Sequence, residues 1–298
     1  MTLEDRVAIV TGSGGGLGRS HAHYLAREGA RVVVNDLSQE AVDRVAREIT
    51  AAGGTAMAIA GSVTDERAVT AMVARVLDDW GRVDILVNNA GILRDKSFGK
   101  MSLDDFRLVL EVHLLGAVIC TKAVWQRMRD QRYGRIVMTT SSSGLYGNFG
   151  QANYGAAKMA LVGLMQTLAI EGTKYDIRVN CLAPTAATQM SAGVLTEESL
   201  RVLDPALVSP GLLALVSDDA PTRTILCAGA GNFATANVTL TRGYFVGSED
   251  DAGEQVIAHW REVSDRTGEI VPEYGFTQAE REVARAGLSV PVVALERS

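Results

Sequence analysis

The sequence predicts an α/β fold: a single doubly wound, parallel sheet of about seven strands with helices on both faces. Short β-branched runs alternate with longer helical patterns along the first two thirds of the chain. These runs are apolar on both sides, as in strands that helices cover from above and below. The first 183 residues also contain no proline, and all six prolines lie from Pro184 onward. Such alternation implies right-handed βαβ units.

The predicted elements follow in order along the chain. Seven runs read as strands, at 6–12, 31–36, 55–61, 83–89, 134–140, 177–183 and 223–229. Five helical patterns lie between the first six, at 17–29, 38–52, 65–80, 103–132 and 152–174. A further helical pattern at 195–218 is interrupted by two prolines, and an amphipathic helix is expected at 251–265.

The composition excludes several classes of protein. With 298 residues, 47% of them hydrophobic and 21% charged, the chain can bury a sizeable core. A net charge of −6 argues against partners such as nucleic acid or an anionic membrane. No run of about 18 apolar residues predicts a membrane span, and the N-terminus lacks a signal-peptide pattern. Three scattered cysteines predict reduced thiols and a cytoplasmic location. No metal site is expected, since His21 and His23 would face different sides of a helix.

A glycine-rich turn, "TGSGGGLGR", follows the first strand and opens the first helix. Gly12, Gly16 and Gly18 have the spacing G-x-x-x-G-x-G, with Leu17 between the last two. Glycines allow a sharp turn and let a phosphate approach the helix N-terminus, where unpaired amides favour negative charge. At the first crossover of a βα alternation, this turn predicts a dinucleotide site in a Rossmann-like domain.

An acidic residue, Asp36, ends the second strand eighteen residues beyond Gly18. A carboxylate there can accept hydrogen bonds from an adenosine ribose and repels a 2′-phosphate. The alternative is a simple helix cap or turn residue. Because the glycine turn precedes it, the cofactor interpretation is preferred, and the sequence predicts NAD rather than NADP.

A tyrosine and a lysine lie one helical turn apart in "NYGAAK". Tyr154 and Lys158 would share a helix face. A phenol is a poor base at pH 7, but a neighbouring ammonium favours the phenolate and makes tyrosine usable as a general acid or base. Ser141 lies in the loop that leaves the fifth strand, where ligands bind in open α/β sheets. The alternative is an ordinary surface pair.

These motifs together resemble the short-chain dehydrogenase/reductase family over roughly residues 3–245. The shared motifs are "TGSGGGLG", "NNAG", the serine loop and "YGAAK". Longer strings are similar to one branch of that family, the (3R)-hydroxyacyl-CoA dehydrogenase domains of peroxisomal multifunctional enzymes type 2. This branch is also known for 17β-hydroxysteroid oxidation. Those strings are "VVVNDL", "NNAGILRDKSF", "VHLLGA", "SGLYGNFGQANYGAAK" and "LAIEG".

The resemblance implies roles for particular residues. Tyr154 would be the catalytic acid or base, Ser141 would position the reacting oxygen, and Lys158 would lower the tyrosine pKa and bind the nicotinamide ribose. Both Tyr154 and Lys158 would therefore also contact the cofactor. The remaining cofactor residues implied are Ser62 and Val63 beside the adenine, Asn89, Ala90 and Gly91 on the adenosine side, and Pro184 to Thr188 beside the nicotinamide.

Three positions depart from the family pattern. His113 replaces a helix asparagine, Ser62 replaces an aspartate, and "APTAATQM" lacks the glycine that usually follows the proline. A basic pair, Arg94 and Lys96, could meet an acyl-CoA phosphate, although a solvated loop is the preferred interpretation of a single pair.

We therefore expect residues 1–250 to form an NAD-binding catalytic domain and residues 251–298 a helical extension of it. The expected reaction interconverts a secondary alcohol and a ketone, with a 3-hydroxyacyl-CoA as the first substrate choice in fatty acid or steroid metabolism. A hydroxysteroid comes next, and an acyl-carrier-protein thioester is disfavoured because such reductases usually use NADPH. A non-catalytic NAD-binding scaffold is the rival class. By resemblance, a homodimer or homotetramer is expected through the helices at 103–132 and 152–174.

Overall fold

The computed structural model describes residues 3–188, 196–248 and 250–288. Its strands form one sheet with the order β3-β2-β1-β4-β5-β6-β7-β8. Their bounds are β1 Val7–Thr11, β2 Arg31–Asp36, β3 Thr55–Ala60, β4 Ile85–Asn88, β5 Gly134–Thr139, β6 Ile177–Thr185, β7 Ile225–Gly229 and β8 Asn232–Ala236. The first seven are parallel, which confirms the predicted sheet and all seven predicted strands.

The strand order reverses direction beside β1. From β1 the chain first builds outward to β3 and then returns to place β4 on the other side of β1. In doubly wound sheets a ligand binds at this switch point, beyond the carboxyl ends of the strands. The glycine turn that follows β1 and the loop that follows β4 are therefore adjacent.

An eighth strand, β8, was not predicted from the sequence. It pairs with β7 in the antiparallel direction through a two-residue turn. Ala230 and Gly231, which form the turn, both have positive φ, 49° and 74°, as in the hairpin turns that match strand twist. Four of the five β8 residues are exposed, so this edge strand lacks the apolar run that identified the others.

The helices lie in the predicted order, and their ends are defined by local signals. Ser38 caps α2 and Asp65 caps α3 through their side chains. The bounds are α1 Gly16–Arg27, α2 Gln39–Ala51, α3 Glu66–Trp80, α4 Leu103–Leu110, α5 Gly116–Gln131, α6 Ser142–Tyr146, α7 Ala152–Gly172, α8 Glu197–Val202, α9 Ser209–Val216, α10 Ala252–Ala258, α11 Trp260–Val263 and α12 Phe276–Arg285.

The helix predicted at 103–132 contains a π-helical turn, Glu111–Leu115, which joins α4 to α5. A π-turn holds one extra residue and is frequent at functional sites. By length and composition alone, the continuous helix Leu103–Gln131 is long and apolar enough to cross a membrane. It is instead a core helix of the α/β domain, because its buried residues pack toward the sheet and α3.

Two apolar clusters cover the two faces of the sheet. Alternate residues of β1 point to opposite clusters, with Ile9 in one and Val10 in the other. The first cluster joins the sheet to α3, α5 and α7, and the second joins it to α1, α2 and α9. The sheet is thus buried on both faces, as the apolar strands predicted.

The contacts divide the chain into two compact units, Met1–Ala236 and Asn237–Ser298. In the second unit, the tail helix predicted at 251–265 is split into α10 and α11 at His259. The His259 ring stacks on Tyr244 with centroids 4.1 Å apart.

Candidate active site

The predicted site residues gather at one edge of the sheet, the edge formed by the carboxyl ends of the parallel strands. Gly12 follows β1, Asp36 ends β2, Asn89 follows β4, and Ser141 lies two residues beyond β5. The chemistry predicted from separate motifs is therefore brought to one side of the domain by topology alone.

The glycine turn is shaped by two close approaches. Gly12 has φ +63°, and a Cβ there would lie 2.7 Å from the Ala90 Cα. A Cβ on Gly18 would lie only 2.2 Å from the Gly12 carbonyl oxygen. Since real Cβ atoms do not approach so closely, both positions require glycine.

The N-terminus of α1 is open toward the turn. Among the described residues, no side chain caps it, and a Cβ on Gly15 would have no neighbour within 4 Å. Gly16, with φ +51°, and Leu17 begin the helix beside this space. Open space in front of uncapped helical amides fits a pyrophosphate group.

Asp36 lies against this turn rather than apart from it. Its Oδ2 accepts a hydrogen bond from the Gly14 N–H at 3.0 Å, and its Oδ1 accepts one from the Leu37 N–H at 2.7 Å. Each carboxylate oxygen retains a further lone pair for a ribose hydroxyl. Arg44, from α2, donates to the Gly14 carbonyl at 2.9 Å. Arg44 and Asp36 thus bind the same residue of the glycine turn, a contact that the sequence does not indicate because the two residues are eight positions apart.

The loop after β4 is tied to the end of β1. The Thr11 hydroxyl accepts hydrogen bonds from the backbone N–H groups of Asn89 and Ala90, at 3.0 and 3.1 Å. The Asn89 side chain donates to the carbonyls of Thr11 and Gly12. Asn89 thus holds the glycine turn in place, which positions the cofactor space by way of the backbone.

The remaining predicted cofactor residues are placed differently. The Ser62 hydroxyl bonds Thr64 and stabilises the turn after β3. Val63 is 8% exposed and belongs to the core, where a Cβ on Gly116 would lie 2.7 Å from its Cγ2. Pro184 lies in β6. The Thr188 Cγ2 would lie 3.7 Å from a Cβ placed on Gly16. In "APTAATQM", the last two residues lie outside the described part of the chain.

Ser141 and Tyr154 meet across α6. Ser141 is the N-cap of α6, with its hydroxyl accepting from the Ser143 N–H at 3.2 Å. Tyr154 lies in the first turn of α7, close enough to Ser141 for the serine side chain to lower the pKa of the phenol. The two hydroxyls thus converge on one point, where a substrate oxygen could bind both.

Lys158 is buried behind Tyr154. Its Nζ donates to the Thr139 carbonyl at 2.5 Å and lies 5.4 Å from the centroid of the Tyr154 ring. The Thr140 hydroxyl donates to the Lys158 carbonyl. A Cβ on Gly144 would lie 2.7 Å from the Lys158 Cβ, so Gly144 allows α6 to pack closely on α7.

Burial acts on the acid–base groups of both side chains. It lowers the pKa of Lys158 to about 7 and raises the pKa of Tyr154 above its ordinary value. The Ser141 side chain lowers the Tyr154 pKa, and the charge of Asp95 raises it. Burial has the largest influence, so the Tyr154 pKa is raised, not lowered as the Tyr–Lys spacing predicts, and the phenol is protonated at neutral pH.

His113 projects from the π-turn into the same region. Its Nε2 lies 2.8 Å from the Ile92 carbonyl oxygen and 3.0 Å from the Ile92 nitrogen. A Cβ on Gly91 would lie 2.2 Å from its Cε1, so Gly91 makes room for the ring. Burial lowers the His113 pKa to about 3, so the ring is neutral at pH 7.

Arg94 and Lys96 both face Asp105, at 3.9 and 3.2 Å. Both cations thus share one carboxylate of α4, and about half of each side chain is exposed, in line with the solvated interpretation. Within the described residues, no cluster of His, Cys, Asp and Glu could hold a metal ion.

A family model described as short chain dehydrogenase matches residues 6–199. The chain belongs to this short-chain dehydrogenase family. It is therefore an oxidoreductase of the dehydrogenase type, as the motifs predicted.

Relatives of this short-chain dehydrogenase extend the likeness. It is 45% identical over 273 residues to Peroxisomal multifunctional enzyme A of Dictyostelium discoideum, covering 88% of this chain and 61% of the relative. The structure of full-length peroxisomal multifunctional enzyme type 2 from Drosophila melanogaster matches with a TM-score of 0.80 and 37% identity, over 96% of this chain and half of that one. The chain therefore spans only about half to three fifths of these relatives. The predicted resemblance to this branch is confirmed.

A third likeness bears on the cofactor. A 7α-hydroxysteroid dehydrogenase in complex with NADH and 7-oxo glycochenodeoxycholic acid matches with a TM-score of 0.72 and 31% identity, over 77% of this chain and 95% of that one. Family and neighbour support a nicotinamide cofactor for this short-chain dehydrogenase, and the glycine turn and open α1 N-terminus fit one.

Proposed function

We propose that the chain is an NAD-dependent (3R)-3-hydroxyacyl-CoA dehydrogenase, with residues 1–250 as its catalytic part. The observation that carries the proposal is that the Ser141 and Tyr154 side chains lie together, with Lys158 buried behind the tyrosine ring and the glycine turn at the same edge of the sheet. The similarity to peroxisomal multifunctional enzymes supports the acyl-CoA substrate.

The proposed oxidation removes two hydrogens from a secondary alcohol. The substrate hydroxyl binds between Ser141 and Tyr154. Once the Tyr154 phenol has lost its own proton to solvent, its oxygen accepts the proton of the substrate hydroxyl as the ketone forms. A bound, oxidised nicotinamide ring supplies the acceptor for the hydride that leaves the carbon. Ser141 holds the oxygen in place throughout, and Lys158 provides a buried positive charge when it is protonated. In the reverse direction, protonated Tyr154 donates its proton to the carbonyl oxygen.

The NAD preference is part of this proposal and is supported by Asp36. Its carboxylate borders the glycine turn, where a 2′-phosphate would meet a like charge. Arg44 reaches the same turn and partly offsets that charge.

The test is a turnover assay with purified protein, NAD and a (3R)-3-hydroxyacyl-CoA, followed by NADH absorbance. The (3S) enantiomer, a 17β-hydroxysteroid, and a 3-oxoacyl-acyl-carrier-protein with NADPH are run beside it. We expect the highest kcat/KM with the (3R) thioester. A higher value with the steroid or with the carrier-protein thioester would replace the proposed substrate.

We also propose an oligomeric state and a cellular location for the protein. Exposed apolar side chains on the long helices suit a homodimer or homotetramer, and include Leu103, Leu108, Leu115, Met159 and Ile170. Light scattering at micromolar concentration tests this, and a monomer would contradict it. The proposed cytoplasmic location differs from the compartment in the relatives' names, and imaging of the tagged full chain distinguishes the two.

A further inference from the structure

The loop after β4 is bonded directly to the turn that leads into α7. We call the contact between residues 94–97 and residues 148–153 the entry clamp. Three hydrogen bonds form it: Lys96 N–H to the Gly150 carbonyl at 2.9 Å, Gln151 Nε2 to Asp95 Oδ2 at 2.7 Å, and Asn153 Nδ2 to the Arg94 carbonyl at 3.0 Å. The second segment of the clamp, residues 148–153, immediately precedes Tyr154 in the chain.

The inner bond of the clamp, from Asn153 to the Arg94 carbonyl, is linked to Tyr154 through the Asn153 side chain. Asn153 is fully buried, and while its Nδ2 holds the Arg94 carbonyl, its Oδ1 accepts the Tyr154 N–H at 2.7 Å. The backbone that carries the phenol is therefore attached to the loop after β4 as well as to its own helix.

The outer bond of the clamp, from Gln151 to Asp95, fixes the orientation of the Gln151 side-chain amide. Gln151 donates from Nε2 to Asp95, and its Oε1 accepts from the Asn148 side chain at 3.1 Å. An amide held at both ends cannot flip without losing two hydrogen bonds. The neighbouring cations Arg94 and Lys96 pair with Asp105. The Asp95 carboxylate accepts its hydrogen bond from Gln151 instead.

We propose that Asp95 is a positioning residue for this dehydrogenase: by holding Gln151 it fixes the turn before α7 and, with it, the place of the Tyr154 hydroxyl. The inference rests on the proposed function of Tyr154. An error of about 1 Å in the position of a reacting group can lower a rate by roughly 10²-fold, so a hydrogen bond that fixes the chain three residues before the tyrosine is enough to matter.

The charge of Asp95 gives the proposal a specific signature. The titratable groups facing Tyr154 are Lys158 from α7, the neutral His113 from the π-turn, and Asp95 from the entry clamp. A nearby negative charge disfavours the phenolate, and Asp95 indeed raises the Tyr154 pKa. Replacing Asp95 by asparagine keeps an acceptor for Gln151 but removes the charge.

The test compares kcat as a function of pH for alcohol oxidation in five proteins: wild type, Asp95→Ala, Asp95→Asn, Gln151→Ala and the Asp95→Ala/Gln151→Ala double variant. We expect Asp95→Ala and Gln151→Ala each to lower kcat by roughly 10- to 100-fold, with the KM for NAD unchanged. The double variant should be no worse than either single one, because both break the same bond. Asp95→Asn should retain most of the kcat and reach its activity plateau at lower pH.

Asp104→Asn is the matched control, since it neutralises an exposed carboxylate that pairs with Arg107. It should change neither kcat nor the pH profile. Unchanged kcat and pH profiles in the Asp95 and Gln151 variants, or losses that multiply in the double variant, would overturn the inference. If Asp95→Ala does not fold, Asp95→Asn and Gln151→Ala carry the test. A wild-type protein without turnover would instead count against the proposed function.

Discussion

The His113 imidazole stands edge-on to the Tyr154 ring, with the ring centroids 5.2 Å apart and the ring planes at 86°. Because the His113 pKa is lowered to about 3 by burial, the contact supplies packing without charge at pH 7. The pKa of Tyr154 is then set by burial, by the Ser141 side chain and by the charge of Asp95.

Removal of the phenol oxygen tests the proton-transfer role. Tyr154→Phe keeps the ring contact with His113 but deletes the titrating atom. We expect kcat to fall by ~10²–10⁴-fold while folding and NAD affinity survive. The measurement is kcat on folded protein, with Tyr24→Phe, on α1, as the control. Turnover near that of wild type would end the proposed role.

Replacement of the buried ammonium tests Lys158. Lys158→Met fills similar volume but removes the donor to Thr139 and the positive charge behind the phenol. We expect kcat to fall by about 10²-fold or more, and NAD to bind about tenfold more weakly for a lost charged hydrogen bond. Steady-state kinetics and fluorescence titration measure the two effects. Lys122→Met, at an exposed site on α5, should show neither.

Cofactor choice should respond to Asp36. Asp36→Ala removes the repulsion of a 2′-phosphate and leaves Arg44 as the charged group near the turn. We expect the NAD:NADP ratio of kcat/KM to fall by about 10- to 100-fold, the worth of roughly 1.5–3 kcal/mol in hydrogen bonds to a charged group. Asp43→Ala, one helix turn along α2 from Gln39, is the control of equal charge. A wild-type preference for NADP would contradict the prediction.

Two glycine substitutions should have opposite effects on stability. Gly91→Ala places a Cβ against the His113 ring, which its bond to Ile92 holds in place, and should cost about 1–3 kcal/mol of unfolding free energy. Gly163 lies in α7, and apart from its chain neighbours and the backbone of its own helix, no heavy atom of the described chain lies within 4 Å of the Cβ position. Gly163→Ala should therefore gain about 0.5–1 kcal/mol of unfolding free energy. Denaturant unfolding compares them, and equal effects would show that the Gly91 contact is not limiting.

Stability should decrease below pH 6.5. Burial lowers the pKa of His21 and of His113 to about 3, whereas in the unfolded chain both titrate near 6.5. Between these values the unfolded state binds more protons, so stability is lost as the pH falls from 6.5 toward 3, by up to about 1.4 kcal/mol per pH unit for each ring. Denaturation at pH 7 and pH 5 should show a smaller loss in His21→Gln than in wild type.

Much of this architecture could be read from periodicity and spacing. The seven parallel strands are continuous apolar runs. Gly12, Asp36 and Ser141 each follow or end one of them, and Tyr154 and Lys158 share a face of α7. The residues that the sequence did not reveal act through a side-chain hydrogen bond to a distant part of the chain. Arg44 reaches Gly14 across thirty positions and Asp95 reaches Gln151 across fifty-six, and neither distance corresponds to any local period.

The pKa of Tyr154 could not be predicted from the Tyr–Lys spacing. The spacing correctly puts the two side chains on one face of α7, but the sign of the shift depends on how deeply both are buried. Burial is a property of the α6–α7 packing, which depends on Gly144, a residue that carries no chemical signal of its own.

The π-turn at Glu111–Leu115 adds one residue to the long helix while keeping α4 and α5 in phase. Each residue advances an α-helix by about 100°, and the π-turn winds more loosely, so its five residues cover about the same angle as four α-helical ones. Deleting one residue and closing the turn into an α-helix would therefore leave the face that buries Ala117, Cys120 and Val124 on the sheet. The same deletion within α5, which has no extra residue to lose, would rotate the rest of that helix by about 100°. A one-residue deletion is therefore tolerable inside the π-turn and not in the helix that follows it.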